Sequence, residues 1–212
     1  MKTPPSPDTT RLLLIRHGAT PANELRPYIL QGQGVNHGLS AIGQRQASAL
    51  GEFLSDFAIA HVYASPMVRA CETAEAVADA HGLPVQTLQP LVEVDVGDWE
   101  GESWQNIMQR WPEEYARFMA NPDVVPYLGG ESYAAVHARS APAIEELLAR
   151  HTGQTIVVVA HNVVNRVILA GLLGLPLCRA REVHQENTCV NVIQHRDGNS
   201  YVRTMNAAFH LS

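Results

Sequence analysis

Leu12-Leu13-Leu14-Ile15-Arg16-His17-Gly18-Ala19-Thr20 runs an apolar strand straight into an Arg-His-Gly turn. Four aliphatics in succession, with no polar alternation, suit a strand buried on both faces, as at the centre of a parallel sheet. In open α/β sheets ligands collect beyond the carboxyl ends of such strands. Arg16 and His17 are therefore expected on the floor of a crevice, with Gly18 letting the backbone turn tightly. An imidazole there attacks phosphorus or carries a proton, and a guanidinium beside it matches phosphate with a planar fork. Taken alone, the tripeptide fits equally well a surface Arg and His at a strand end.

A second β-branched run, residues 155–160, ends in His161-Asn162 and leads into a helical pattern over 163–173. Between the two runs, Ser40 is placed to cap a helix, and residues 61–64 read as a short strand. Ser65-Pro66 then reads as an N-cap with proline at the first helical position. Gly82 and Pro84 break that helix before a strand at 85–88. Two amphipathic segments, the second opened by Pro112, fall in a lid segment spanning about 103–130. A helical pattern covers 132–150 with Pro142 inside it, where proline is expected to kink the helix or split it. Strand-like pieces at 188–194 and 201–205 flank Asp197-Gly198-Asn199. The alternation predicts an α/β fold: a three-layer α/β/α sandwich with a mostly parallel central sheet. Residues 1–10, rich in Pro and small polar residues, read as a flexible lead-in to a single domain over 11–212. The long loop 21–38 is expected to be functional.

At 212 residues, 46% hydrophobic and 17% charged, the chain is long enough for a substantial core. Its net charge of −6, with no basic run among 15 Lys and Arg, argues against nucleic acid and anionic membranes as partners. No 18-residue apolar stretch and no signal-peptide pattern occur, which favours a cytoplasmic protein. Cys71, Cys178 and Cys189 are odd in number and widely spaced in apolar settings, as buried free thiols would be. The remaining histidines lack paired ligand spacing, so neither a metal nor another cofactor is expected. Homo-oligomerisation is left open.

Chemistry-bearing residues recur between the two histidines. Arg69 falls in the first turn of the helix after Ser65-Pro66, where free N–H groups already favour anions. Glu93 lies in the acidic turn 91–101; Asp95 and Asp98 share that turn, and spacing does not separate the three. Arg16, Arg69, His17, His161 and one carboxylate make a constellation suited to phosphoryl transfer without metal. In this respect the chain resembles the histidine phosphatase superfamily, the phosphoglycerate mutase-like proteins. Arg16-His17-Gly18-Ala19-Thr20 with Asn23 is similar to its first signature, and Ser65-Pro66-Met67-Val68-Arg69-Ala70 with Thr73-Ala74 to its second. The acidic turn, Gly129-Gly130-Glu131-Ser132 and Val159-Ala160-His161-Asn162 follow in order.

The resemblance implies His17 as nucleophile, Glu93 as proton donor, and Arg16, Arg69 and His161 around the phosphate; a protonated His161 would help neutralise the phosphate oxygens in the transition state. Thr20, Asn23 and Asn162 belong with the phosphate-binding candidates, although Thr20 and Asn23 would equally serve to hold their loop. Gln31-Gly32 also resembles the family, whereas 33–38 departs from it, with an extra residue and His37-Gly38 where an apolar-proline pair is common. The function expected is a phosphomonoesterase acting on a small phosphorylated metabolite. A phosphoglycerate mutase-type isomerase uses the same residues, but the stretch between Gly101 and Gly129 lacks the basic insertion of glycolytic mutases. A non-catalytic phosphate-binding module would not require all five charged and titratable groups. The sparse basic residues of the lid argue against a highly phosphorylated or acidic sugar as substrate.

Overall fold

Arg16 pairs with Ala160 and Ala64 with Val159 in a parallel register, so three strands end side by side. This is a computed structural model, and it describes residues 2–211. In chain order the elements are β1 (Thr9–Arg16), α1 (Pro21–Glu24), α2 (Ala41–Leu54), β2 (Ile59–Ala64), α3 (Val68–Asp79) and β3 (Val85–Thr87). There follow α4 (Trp104–Arg110), α5 (Pro112–Ala120), α6 (Tyr133–Arg150), β4 (Thr155–Ala160), α7 (Asn162–Leu172), β5 (Val190–Arg196) and β6 (Asn199–Ala207). The six strands form one sheet in the order β3-β2-β4-β1-β5-β6. Strands β3, β2, β4 and β1 are mutually parallel, while β5 runs antiparallel to β1 and β6 to β5.

The aliphatic runs are central because both of their faces are covered. Leu12, Leu14, Ile156 and Val158 pack into a core with residues of α6 and α7. Leu13, Ile15, Val157 and Val159 pack on the other side with residues of α2 and α3. That is the three-layer α/β/α arrangement expected from the alternation.

Four local expectations are corrected. The strand β1 begins at Thr9, not Arg11, because Thr10 is buried with its hydroxyl on the Leu148 carbonyl (2.7 Å). Pro142 does not split its helix: α6 runs continuously over 18 residues, with the flanking Ser140 and Ile144 buried against the core. Ser65 is not an N-cap, since α3 starts at Val68 with Met67 at the cap position and no side-chain cap bond. Of the three free cysteines only Cys189 is fully buried; Cys71 and Cys178 are partly exposed.

Candidate active site

The register of β1 and β4 makes His17 and His161 neighbours. The His17 amide donates to the Ala160 carbonyl (3.0 Å), and the two imidazole centroids lie 5.2 Å apart. Both rings are buried, at 3% and 0% exposure, at the carboxyl ends of the central strands. Nδ1 of His17 lies 2.7 Å from the Gly18 carbonyl oxygen, which only accepts, so the proton sits on Nδ1 and Nε2 keeps its lone pair. Burial, then the charges of Arg69 and Arg16, hold the His17 pKa well below the ordinary 6.5. The result is a neutral imidazole with one fixed nucleophilic nitrogen.

Gly18 serves this site differently from expectation. It is not in the left-handed backbone region; a Cβ there would stand 2.8 Å from the Gly43 carbonyl oxygen. Close approach of α2, not the turn, excludes a side chain.

His161 is the N-cap residue of α7. Its Nε2 is 2.7 Å from Ser65 Oγ, and its Nδ1 is buried with no partner. The Met67 amide reaches the Ser65 oxygen at 3.4 Å, and a Ser65 hydroxyl that donates to Nε2 leaves the imidazole proton on Nδ1. Burial, then Arg69, His17 and Arg16, push the His161 pKa well below 6.5. In the free protein a buried imidazole beside two guanidinium groups is thus held toward its neutral form.

Arg69, fully buried in the first turn of α3, donates to the carbonyls of Val35 (3.0 Å) and Gly32 (3.1 Å). Desolvation lowers its pKa to about 10, which leaves it cationic near neutrality. Those carbonyls belong to the loop held by Glu100, whose carboxylate accepts from the amides of Gly32 (2.7 Å) and Gly34 (3.0 Å). Arg16 donates to the Gln185 carbonyl at 2.6 Å, and burial lowers its pKa too.

Glu93 is 4% exposed, with its carboxylate on the amides of Val94 (2.9 Å) and Val163 (3.3 Å), the latter in the first turn of α7. The structure separates the three acids of its turn. Glu93 lines the central cavity, whereas Asp95 accepts from the Gly97 amide (2.9 Å) and Asp98 is exposed.

Arg16, His17, Asn23, Gln31, Glu93 and Asn162 all line a cavity of about 690 Å³. Thr20, Gly32, Arg69 and His161 are not among its lining residues. Thr20 caps α1, with Asn23 returning the bond, and its hydroxyl donates to Gln31 (2.7 Å), while Gly32 uses its amide on Glu100 and its carbonyl on Arg69. Asn162 Oδ1 is buried without a partner. The segment read as a lid forms α4 and α5, whose Trp104, Tyr115 and Phe118 line the cavity together with Tyr127 and Tyr133.

Sequence reading missed several contributors. Asn187 donates to the His17 carbonyl (2.9 Å), Ser65 orients His161, and Arg166 and Arg181 supply cations to the cavity wall. The single signal for Arg166 was its place one helical turn after Asn162. The helix around His137 contributes Tyr133 to the wall, but not His137. No group of three or more His, Cys, Asp or Glu placed to hold a metal occurs among the described residues. No helix among them is long and apolar enough to cross a membrane.

A buried neutral imidazole, a guanidinium and a carboxylate on one cavity, with a second imidazole 5.2 Å from the first and the charge of Arg69 felt by both rings, suit attack on a phosphoryl group. Comparison with known proteins agrees. The chain is 33% identical over 202 residues to phosphoserine phosphatase 1 of Hydrogenobacter thermophilus, covering 95% of this chain and 94% of that protein. Its structure matches Bacillus stearothermophilus YhfR at a TM-score of 0.88 with 29% identity, over 96% of this chain and 100% of that one. It also matches a mycobacterial glucosyl-3-phosphoglycerate phosphatase at 0.83 with 28% identity, over 94% and 99% of the respective chains. The profile of the histidine phosphatase superfamily (branch 1) matches residues 12–208, and the chain belongs to that family.

Proposed function

We propose that the protein is a metal-independent phosphomonoesterase that hydrolyses a small phosphorylated metabolite through a phosphohistidine on His17. The observation that carries this reading is the fixed tautomer of His17, with Nε2 unprotonated on a cationic cavity floor. Arg16, Arg69 and the Nδ1–H of His161 would take the non-bridging oxygens, where charge redistributes as the phosphoryl group moves. Glu93 would give its proton to the leaving alkoxide and then draw one from the water that attacks the phosphohistidine. Such acid–base help is typically worth about 10²–10⁴-fold. Asn23, Gln31 and Asn162 stand at the same floor as further phosphate donors.

The wall beyond the floor bears on the alcohol. Arg166 is half-buried; its Nε donates to the Val183 carbonyl (3.0 Å), and its remaining nitrogens meet no carboxylate among the described residues. With Arg181 it gives the cavity wall two cations from outside the lid segment, whose own Arg110 and Arg117 do not line it, and these favour an acidic substrate over the sequence expectation. The substrate class is a phosphate ester whose alcohol carries its own anionic group. The phosphoserine and glucosyl-3-phosphoglycerate phosphatases among the similar proteins act on esters of that kind by name.

The test is a panel of phosphate esters with the purified protein in chelator. Inorganic phosphate is the readout, and 3-phosphoglycerate is followed for its 2-isomer. Phosphate release, fastest on carboxylate-bearing esters and accompanied by an acid-labile phosphoenzyme, is expected. Isomer without free phosphate, or labelled phosphate retained on His17→Ala, overturns the reading.

A further inference from the structure

Gly129-Gly130-Glu131-Ser132 stands out in the sequence, yet none of its residues lines the cavity. Ser132 caps α6 through the Ala135 amide. Glu131 pairs with Arg139 of α6, which donates to its two carboxylate oxygens from Nε (2.8 Å) and Nη2 (2.9 Å). The same guanidinium donates from Nη1 to the carbonyls of Pro90 (2.7 Å) and Val92 (2.8 Å), and from Nη2 to that of Glu93 (3.0 Å). All five of its N–H donors are thereby engaged.

Glu131 completes the clamp from the other side. Its Oε2 accepts from the Asp95 amide (2.9 Å), and its own amide donates to the Asp95 carbonyl (2.8 Å). The two elements are pressed together so closely that a Cβ on Gly130 would stand 2.2 Å from the Asp95 oxygen. One half-buried ion pair thus fixes the backbone on both sides of Glu93, at residues 90, 92, 93 and 95.

We propose that Arg139, paired with Glu131, is a positioning residue that aims the Glu93 carboxylate at the ester oxygen. This rests on Glu93 acting as the proton donor. Without the clamp the carboxylate keeps its two amide contacts, but the turn that carries it is free to shift. A misplacement of about 1 Å in a reacting group costs on the order of 10²-fold.

Leaving-group dependence separates this role from a merely structural one. 4-Nitrophenolate leaves with little need of a proton, whereas an alkoxide does not. The experiment compares kcat/KM for 4-nitrophenyl phosphate and for the alkyl phosphate that turns over fastest in the panel above, in Arg139→Ala, Arg139→Lys and Glu93→Gln. Arg139→Ala should lose roughly 10–100-fold on the alkyl ester and less than about threefold on the nitrophenyl ester. Arg139→Lys, which keeps the charge and loses the fork, should fall between, and Glu93→Gln should show the same selectivity more strongly. Equal losses on both esters in the Arg139 variants, or none, while Glu93→Gln remains selective, overturn the positioning role alone. An unselective Glu93→Gln removes the proton-donor reading and this proposal with it.

Discussion

Ser65→Ala removes one oxygen atom that touches no substrate, and its effect should nevertheless be kinetic. The hydroxyl accepts from the Met67 amide and pairs with His161 Nε2 at 2.7 Å. With His161 held toward its neutral form, a Ser65 hydroxyl that donates here keeps the imidazole proton on Nδ1, the buried nitrogen with no protein partner. In the variant both tautomers are open, and the one protonated on Nε2 presents a lone pair to a phosphate oxygen, which repels it. A hydrogen bond to a charged group is worth about 1.5–3 kcal/mol. At about 1.36 kcal/mol per tenfold this sets a loss of roughly 10–150-fold in kcat/KM. The assay is steady-state hydrolysis in a double-mutant cycle with His161→Ala. If Ser65 acts through His161, its removal should cost less than about threefold once the imidazole is gone. Independent, multiplicative losses in the two backgrounds would refute the tautomer argument, and a Ser65→Thr variant that keeps the hydroxyl should retain most of the activity.

The depressed His17 pKa has a signed consequence: phosphoenzyme formation should persist as pH falls through 6.5 and fail only below it, and Arg69→Gln should move that limb upward. An acid limb at 6.5 in the unaltered protein would contradict this. Stability follows the same sign, because the unfolded chain binds protons near 6.5 that folded His17 and His161 refuse; their contribution is present above 6.5 and lost on acidification, so a melting temperature rising from pH 7 to 5.5 would count against it. Arg166→Gln should raise KM for carboxylate-bearing esters about 10-fold or more while leaving 4-nitrophenyl phosphate within about threefold, as loss of one charge-assisted contact requires. Gly97→Ala places a Cβ 2.1 Å from the Leu128 oxygen at φ +53°, and should destabilise by at least about 1–3 kcal/mol in chemical denaturation.

The fold was legible where burial leaves a periodic trace. Continuous aliphatics at 12–15 and 155–160 mark strands covered on both faces, and the register that aligns His17 with His161 follows once they pair in parallel. Local codes misled where a residue's partner is distant in the chain. Ser65 before a proline carries the marks of a helix cap, yet its partner is His161, 96 positions away. Gly18 looks like a turn glycine, but what excludes a side chain is the carbonyl of Gly43. Glu93, Asp95 and Asp98 have equal claims by spacing, and only the path of the turn under Arg139 decides which carboxylate enters the cavity. The departure at 33–38 likewise gains its meaning from the carbonyls of Gly32 and Val35, whose service to Arg69 no side-chain pattern records.

Arginines of identical composition are divided by what holds them. Arg110, Arg139, Arg150 and Arg179 meet carboxylates, so their charge is neutralised within the protein. Arg16, Arg69 and Arg166 are held instead by main-chain carbonyls of Gln185, Val35, Gly32 and Val183. A carbonyl dipole orients a guanidinium and meets part of its hydrogen-bonding need, but carries no net charge to cancel it. Holding Arg16 and Arg69 this way costs desolvation, visible in their lowered pKa values, and leaves both without a carboxylate salt bridge, as an anion site would need. Carboxylates in place of those carbonyls would stabilise the free protein and forfeit the site, since an anion would then have to displace a charge before binding. His17 and His161, held toward their neutral forms beside the arginines, add no charge of their own, an arrangement that would receive a phosphate group without first breaking an ion pair.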